Sequence, residues 1–537
     1  MRHPVVLACF ALGIILRTIQ FAAQGSMWLD ELAVAHTVVV RDLVRLITEP
    51  LAYRQVAPAG FLALQKIATT LAGAGELGFR LVPWLASIAS LFVLWRVAEQ
   101  LLVRSAAWTV LLLFAASPAL IWFGSQAKQY STDVLGLLLL LWAGCELLTA
   151  RPRVALPVLA GTLAVLTSMP AVLAGGAIGM VLLIAAVRTG LPSRNTFVVV
   201  GVCWTVGALI TAGLSQLAVS PGTREYMLMF WARGFPPAPT SSDALLWTPR
   251  VLSDTLSFAL FFGLADEVRI VAAVAMTMAV LMVPGAWWLA RRSGYQAAMV
   301  ILPVVAGVLA ASLRLLPLSG RVSLWLAGPL LLLAGAGLSA AAERFSARWR
   351  VIPAAAGMLI AAVAIVSVTI LEPPPYRSQD MKPVLAQVGA QMQPGDAIYV
   401  YYGARMAMRF YGPRAGISQW TEGNCHRRNT PEYFRELDAF RGRDRVWVIW
   451  THAIRRFGEP EAIRSYLSTI GVERLRIGAP GDAADDVGEE ALLYDLSDPV
   501  RLASSAADTH PIPPPERPDD GPNVPCGGPA NDSSVVR

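Results

Sequence analysis

Two adjacent carboxylates, Asp30 and Glu31, lie shortly after the first apolar stretch of the chain. Carboxylates beside a membrane helix are energetically costly, so they usually have a function. Such a pair could take a proton from an acceptor or hold a cation at a bilayer surface. Trp28, two positions before Asp30, adds an indole that prefers the level of the lipid headgroups. A solvated acidic loop is the ordinary alternative, and the rest of the sequence has to decide between the two.

A second polar group stands between two later apolar stretches. Lys128, Tyr130 and Asp133 supply a cation, a phenol hydroxyl and an acid within one short segment. On a helix, residues three or four apart share a face, so part of this segment could project into a cavity. An ordinary loop in which Lys128 pairs with Asp133 is the alternative.

A third polar point is Arg321, at the expected outer end of an apolar helix. The outer side of a membrane protein carries few basic residues, so an Arg at this position indicates a specific role. A lipid phosphate would supply one, because a guanidinium binds phosphate oxygens in a fork. Snorkelling of the side chain towards the interface is the alternative.

The composition shows which elements must position these residues. The chain has 537 residues, of which 55% are hydrophobic and only 15% are charged, with a net charge of +7. Its mean hydropathy is +0.53. Several apolar runs approach the ~20 residues that cross a hydrocarbon core of ~30 Å, which predicts a polytopic helical membrane protein. The runs cover residues 5–21, 81–103, 106–123, 134–148, 197–214, 268–289, 297–313, 324–341 and 352–371.

The placement of Lys and Arg predicts the topology, because basic residues cluster on the cytoplasmic side of membrane helices. The clusters are Arg2, Arg96 with Arg104, Arg151 with Arg153, Arg188 with Arg194, Arg291 with Arg292, and residues 344–350. With a cytoplasmic N-terminus, these clusters fit about eleven crossings. The short stretch 57–72 contains Gln65 and Lys66, so we expect it to lie along the outer interface instead of crossing. A secretory signal at the N-terminus is an alternative for the first run.

This topology has a consequence for the polar groups. The outer loops 23–79, 124–133 and 220–266, together with Arg321, all fall on one face of the membrane domain 1–371. The C-terminal region falls on the same face. The sequence therefore predicts one site on the outer side.

The composition changes after residue 371. A Pro-rich segment at 373–375 leads into a predicted extracytoplasmic α/β domain at 372–503. Strands are expected at 396–402, 445–450 and 491–496, and helices at 431–440 and 459–470, with Thr430 as the N-cap of the first. The tail at 504–537 is rich in Pro, Asp, Gly and Ser and is expected to be disordered.

The five cysteines show no metal-ligand spacing. Cys9, Cys145 and Cys203 fall in predicted membrane helices, whereas Cys425 and Cys526 fall in the outer domain and its tail. In an oxidising compartment these last two could form a disulfide, and free thiols are the alternative.

Taken in order, these residues carry a resemblance to the GT-C glycosyltransferases. Within that class, the chain is most similar to the bacterial branch related to protein O-mannosyltransferases, lipid A aminoarabinose transferases and rhizobial lipopolysaccharide sugar transferases. The resemblance covers roughly residues 1–370 and rests on five short motifs that are individually common. The motifs are Trp28-x-Asp30-Glu31, Gln55-Val56-Ala57-Pro58-Ala59-Gly60-Phe61, Gly75-Glu76-Leu77-Gly78-Phe79-Arg80-Leu81-Val82-Pro83, Ala127-Lys128-Gln129-Tyr130-Ser131-x-Asp133 and Gly320-Arg321-x-Ser323-Leu324.

The resemblance implies a polyprenyl-phosphate-linked sugar as donor and an envelope lipid, polysaccharide or protein as acceptor. It implies transfer on the outer face of the bacterial inner membrane. Asp30 matches the residue interpreted as catalytic base, or as the organiser of the acceptor and a divalent ion such as Mg or Mn, and Glu31 matches the acid that accompanies it. Lys128 and Arg321 match the cations that face the donor phosphate.

The same resemblance places Tyr130, Asp133, Gln55 and Trp28 in substrate binding. Gln126 departs from the pattern, because relatives commonly have an acid there. This departure weakens the case for a metal in the second segment.

The chemistry suits these residue types. Displacing a polyprenyl phosphate needs a base for the acceptor proton and positive charge for the leaving phosphate. A one-step displacement would invert the anomeric centre. Nothing in the sequence indicates a nucleic-acid partner.

Two other functions stay open. A transporter or flippase would show repeats and acids near the bilayer midplane, and neither is evident. A lipid-linked oligosaccharide ligase would share both the topology and the phosphate chemistry.

Overall fold

The chain forms two compact units. The computed structural model describes residues 3–262, 269–344, 351–371, 373–426, 429–453, 458–480 and 488–498. The first unit contains Met1–Gln24, Arg41–Glu49 and Val56–Tyr376, and the second contains Gly25–Val40, Pro50–Gln55 and Arg377–Arg537. The segment that carries the acid pair thus belongs to the same unit as the C-terminal region. The predicted tail 504–537, Cys526, the end of the 220–266 loop and most of the basic cluster at 344–350 lie outside the described residues.

The first unit is helical. Its helices are α1 Pro4–Ala22, α3 Leu43–Thr48, α4 Ala59–Ala72, α5 Glu76–Leu101, α6 Arg104–Ala115, α7 Pro118–Trp122, α8 Tyr130–Leu147, α9 Ala155–Thr167, α10 Met169–Thr189, α11 Arg194–Ala218, α12 Pro221–Phe230, α13 Asp243–Phe261, α14 Arg269–Arg292, α15 Gly294–Ser312, α16 Ala327–Arg344 and α17 Val351–Val366. A 3₁₀ segment, Gly320–Leu326, leads into α16.

Eight of the described helical segments are long and apolar enough to cross a membrane, and the bent pair Arg104–Ala115 and Pro118–Ser125 makes up to nine. Two shorter apolar helices, Ala155–Thr167 and Ala355–Leu371, occupy further positions at which the charge pattern predicts crossings. The described helix α4 is not among these segments. This agrees with the expectation from Gln65 and Lys66 that it does not cross the membrane. The prediction of a multi-pass helical membrane protein is confirmed.

The bend between α6 and α7 is 56°, and it leaves backbone carbonyls without their helical partners. The fully buried side chain of Arg17 in α1 satisfies them. Its guanidinium donates to the carbonyl oxygens of Phe114 and Ala115, at 2.9 Å each, and to Ser87 Oγ at 2.8 Å. A buried Arg in the first span therefore stabilises a break in a distant one.

Replacing Arg17 by Met is expected to destabilise the first unit by about 3 kcal/mol or more, because each buried carbonyl left unsatisfied costs about 1–3 kcal/mol. The measurement is the thermal unfolding of the protein in detergent. Arg96→Met is the matched control, since Arg96 is exposed and pairs only at the surface with Glu99. Equal melting temperatures for the two variants would contradict this role for Arg17.

The second unit contains a five-stranded mixed sheet with strand order β2-β1-β3-β5-β4. Its strands are β1 Ala397–Val400, β2 Thr421–Glu422, β3 Val446–Trp450, β4 Val472–Pro480 and β5 Gly488–Asp495, and its helices are α2 Leu29–Val40, α18 Met381–Gln391, α19 Arg405–Tyr411, α20 Thr430–Asp438 and α21 Glu459–Ile470. Strands β1, β2 and β3 pair in parallel, whereas β5 is antiparallel to β3 and β4. The continuous apolar runs of β1 and β3 suit parallel strands that are buried on both faces.

The predicted small α/β domain is thus confirmed, with differences in detail. Strands β2 and β4 were not predicted, because β2 has only two residues and β4 alternates polar and apolar residues without a long apolar run. The prediction of Thr430 as an N-cap is wrong. Thr430 is the first residue of α20 and its buried hydroxyl has no hydrogen-bond partner among the described residues.

An ion pair fixes the beginning of strands β1 and β3. Arg445 donates to the two carboxylate oxygens of Asp396 at 2.7 and 3.1 Å, and Trp447 Nε1 donates to the same group at 2.8 Å. Burial disfavours the charged carboxylate, but these hydrogen bonds outweigh that effect and lower the pKa of Asp396. The folded state therefore favours the ionised form.

Asp396→Asn is expected to destabilise this sheet by about 2 kcal/mol at neutral pH, the typical contribution of hydrogen bonds to a charged group. Because folding lowers the pKa, this contribution is complete above the ordinary value of about 3.9 and is lost as the pH falls through the folded pKa. Hydrogen exchange of β1 and β3 in the whole protein measures it. A difference between variant and wild type that does not shrink in acid would contradict the assignment.

Candidate functional site

The acid pair lies in the first turn of α2, whose beginning is held by side chains. The first N–H groups of a helix have no acceptor within the helix. Here four consecutive N–H groups leading into α2 have side-chain acceptors. Ser26 N donates to Asp380 Oδ1 (3.0 Å), Met27 N to Tyr411 Oη (2.7 Å), Trp28 N to Glu31 Oε2 (3.2 Å) and Leu29 N to Gln379 Oε1 (3.0 Å).

The two acids have different surroundings. Glu31 is buried, with 1% of its surface exposed, and it reaches back to the Trp28 N–H as an acid in the first turn of a helix commonly does. Asp30 is half-buried. Glu31 thus has an observed structural contact, and its predicted catalytic role stays a prediction.

The predicted divalent ion would need a set of side chains that could hold it. Within the described ranges, no group of three or more His, Cys, Asp and Glu side chains is arranged to hold a metal. Mg²⁺ and its relatives need several oxygen ligands in near-octahedral geometry. Since one oxygen of Glu31 already accepts from the Trp28 N–H, the pair does not supply such a set.

Gln55 is buried next to two strained residues of the second unit. Tyr53 and Arg54 have φ values of 59° and 53°, a left-handed conformation that is unusual for residues other than glycine. The Tyr53 hydroxyl accepts a hydrogen bond of 3.0 Å from Arg409, which also binds Glu422. The hydrogen bond to Glu422 raises the pKa of Arg409. The segment before Gln55 is thus fixed by a charged contact, and strain of this kind clusters at functional sites.

In the first unit, the second polar segment lies where the bent helix pair ends and α8 begins. Lys128, Tyr130 and Asp133 are all buried there, with 4%, 4% and 8% exposed. Tyr130 and Asp133 belong to the first turn of α8 and not to a loop. Charged side chains buried at the end of a membrane helix are costly, and functional sites tolerate that cost.

Several buried polar atoms of the same segment have no hydrogen-bond partner among the described residues. They are Ser125 Oγ, Gln126 Oε1, Gln129 Oε1 and Asp133 Oδ1. Buried polar atoms nearly always have a hydrogen-bond partner, so a cluster of exceptions is one indication of a functional site.

Arg321 is brought to this segment by the 3₁₀ turn before α16. Its Nε donates to the Tyr130 hydroxyl at 2.9 Å, and its guanidinium lies over the ring of Trp231, 5.2 Å from the centroid. The hydroxyl and the indole orient the planar cation. Two residues that the sequence separates widely, Tyr130 and Arg321, are thus in direct contact.

The structure groups the predicted site residues as two sets. Trp28, Asp30, Glu31 and Gln55 belong to the second unit, and Lys128, Tyr130, Asp133 and Arg321 belong to the first. The convergence of both sets on one substrate stays a prediction. Sequence reasoning missed Asp380, Tyr411 and Gln379. Their contacts with residues 26, 27 and 29 have no local sequence signal because the two sides are far apart along the chain.

The fold, with its membrane helices and its small α/β unit, is shared with proteins of known structure. Among solved structures, the chain is similar to ArnT from Cupriavidus metallidurans in the apo state, with 13% identity over 93% of this chain and 99% of that one and a TM-score of 0.52. The structure of the same protein bound to undecaprenyl phosphate matches with the same values. The apo oligosaccharyltransferase from Archaeoglobus fulgidus is 12% identical over 88% of this chain and 73% of that one, with a TM-score of 0.51. No protein family model matches the chain, and no curated protein matches it significantly.

Proposed function

We propose that the protein is a membrane glycosyltransferase. It moves a sugar from a polyprenyl-phosphate donor to an envelope lipid, polysaccharide or protein. Its fold is that of ArnT, which has been solved with undecaprenyl phosphate, and of an oligosaccharyltransferase. The fold allows many chemistries, so the argument rests on the site.

The observation that carries the proposal is the oriented Arg321. A guanidinium held by the Tyr130 hydroxyl and the Trp231 ring beside a buried segment that contains Lys128 suits a phosphate group. In a site partly shielded from water, both cations would stabilise the charge that develops on the leaving phosphate. Sugar hydroxyls could donate to the buried oxygens that have no partner among the described residues, which are Ser125 Oγ, Gln126 Oε1, Gln129 Oε1 and Asp133 Oδ1.

Asp30 is the proposed general base. As the acceptor oxygen bonds to the anomeric carbon, its proton passes to the Asp30 carboxylate. The bond between that carbon and the phosphate oxygen breaks, and its electrons leave with the polyprenyl phosphate. This single displacement inverts the anomeric centre. The residues give a metal no defined ligand set, so no step is assigned to one.

The proposed location is the bacterial inner membrane, with a cytoplasmic N-terminus and with domain 372–503 outside. The basic clusters at the ends of the spans support this orientation. Reporter fusions at residues 30 and 128 test it, because both positions must report the outer compartment. Opposite compartments for the two positions would exclude the proposed site.

The test of the function is mass spectrometry of envelope glycans and proteins from cells with and without the gene. Loss of one hexose or pentose that returns on complementation supports a monosaccharide transferase. Loss of a complete oligosaccharide would instead support a lipid-linked oligosaccharide ligase, the second candidate, which the likeness to the Archaeoglobus fulgidus enzyme favours. An unchanged envelope would contradict both.

A further inference from the structure

One side chain of the second unit, Gln379, contacts both the helix of the acid pair and the segment that follows β3. Gln379 Oε1 accepts from Leu29 N at 3.0 Å, and its Nε2 lies 2.7 Å from His452 Nδ1. Gln379 is buried, with 8% exposed. The amide oxygen of Gln379 thus contacts the first residue of α2, and its amide nitrogen contacts His452, which follows β3.

The backbone at both residues is strained. Gln379 and His452 each have a φ of 53°, in the left-handed region. Such strain persists only where surrounding structure enforces it, and it is frequent at functional sites. Close packing provides that enforcement for His452. A Cβ added to Gly403, after β1, would come within 2.4 Å of the Thr451 carbonyl oxygen, so the two strand ends are in tight contact.

Leu29 immediately precedes Asp30, so whatever fixes the Leu29 N–H also fixes the first turn that carries the carboxylate. Asp380 and Tyr411 hold the two residues Ser26 and Met27 in the same way. Side chains just before α18 and at the end of α19 therefore hold the beginning of α2.

We propose that Gln379 and His452 are positioning residues that hold the Asp30 carboxylate in place for proton transfer. The C-terminal domain is then part of the catalytic machinery and more than a cover or an acceptor-binding module. This inference rests on the proposed function for the role of Asp30. The contacts themselves can be tested without any substrate.

The key variant is Gln379→Leu, which keeps the approximate size but removes the acceptor. Hydrogen exchange of the whole protein in detergent is expected to accelerate over residues 27–33 by about tenfold, as loss of a hydrogen bond predicts. Gln379→Glu should rescue it, because a carboxylate still accepts from Leu29 N and suits a helix N-terminus. His426→Asn is the matched control, since His426 lies in the same domain and binds Glu436 instead.

The second measurement is function in a complemented deletion strain. Envelope glycan modification per amount of protein should fall by about a hundredfold in Gln379→Leu, the effect of a small misplacement of a reacting group. Affinity for undecaprenyl phosphate should stay unchanged, whereas general unfolding would reduce both. If Gln379→Leu does not accumulate, His452→Ala should show the same changes at smaller size.

Unchanged hydrogen exchange over residues 27–33 in both Gln379→Leu and His452→Ala would overturn the positioning role. Faster exchange with full glycan modification would overturn its catalytic consequence. Failure of the proposed function has a different signature: Asp30→Asn would retain full modification while Gln379→Leu still exchanged faster.

Discussion

Asp30→Asn is expected to reduce sugar transfer by at least about a hundredfold, the usual contribution of a general base. Asn has the same shape as Asp but does not take up a proton at neutral pH. Asp30 is half-buried in the first turn of α2, and other side chains hold the N–H groups of Met27 and Leu29 just before it. The variant should therefore fold, with at most a small loss of favourable charge at the helix N-terminus. Envelope glycan analysis of a complemented deletion strain measures the effect.

Two further carboxylates make the comparison specific. Asp42 is an exposed N-cap that accepts from Arg45 N at 3.0 Å, and Asn caps helices equally well, so Asp42→Asn should leave transfer unchanged. Glu31→Gln keeps an oxygen for the Trp28 N–H and should retain the fold. Near wild-type transfer by Asp30→Asn would remove the proposed base. A loss in Glu31→Gln equal to that in Asp30→Asn would assign chemistry to both acids.

The membrane architecture could be predicted because its signal is local. A run such as 81–103 contains enough apolar side chains to cross a bilayer, and α5 occupies it as Glu76–Leu101. The strands β1 and β3 were predicted for the same reason, since their short runs are rich in Val, Ile, Tyr and Trp, which favour strands. The weakly patterned β4 depends on its pairing with β5, which no local window contains.

The site was only partly predictable, because its contacts join distant residues. Arg321 and Tyr130 were each selected as single polar points, but nothing in the sequence indicated that one donates a hydrogen bond to the other. In the same way, Arg17 resembles an ordinary charge in a first span until the carbonyls of Phe114 and Ala115 are placed beside it. Residue type indicates what a group can do, and long-range packing decides which partner it meets.

The capping of α2 shows why the acid pair could not be interpreted from its neighbours alone. Adjacent in sequence, the two carboxylates differ in burial: Glu31 is buried and accepts from the Trp28 N–H, whereas Asp30 is half-buried. Selection for a stable helix explains an acid at position 31. The proposed chemistry is assigned to Asp30, which is the less buried of the two acids.

The second large effect concerns the donor phosphate. Arg321→Ala and Lys128→Ala are each expected to weaken undecaprenyl phosphate binding by about ten- to a hundredfold, the range for a lost hydrogen bond to a charged group. Binding to the purified protein in detergent measures this. Arg314→Gln is the matched control, because Arg314 is exposed and is expected on the same side of the membrane.

Arg321→Lys distinguishes an oriented fork from a simple positive charge. Lys keeps the charge but lacks the planar group that donates to Tyr130 and stacks on Trp231. If orientation matters, Arg321→Lys should bind undecaprenyl phosphate nearly as weakly as Arg321→Ala, and Tyr130→Phe should weaken binding in the same direction by a smaller factor. Full affinity in Arg321→Lys would reduce the role of this residue to a point charge, and full affinity in Arg321→Ala and Lys128→Ala would exclude both cations from the phosphate site.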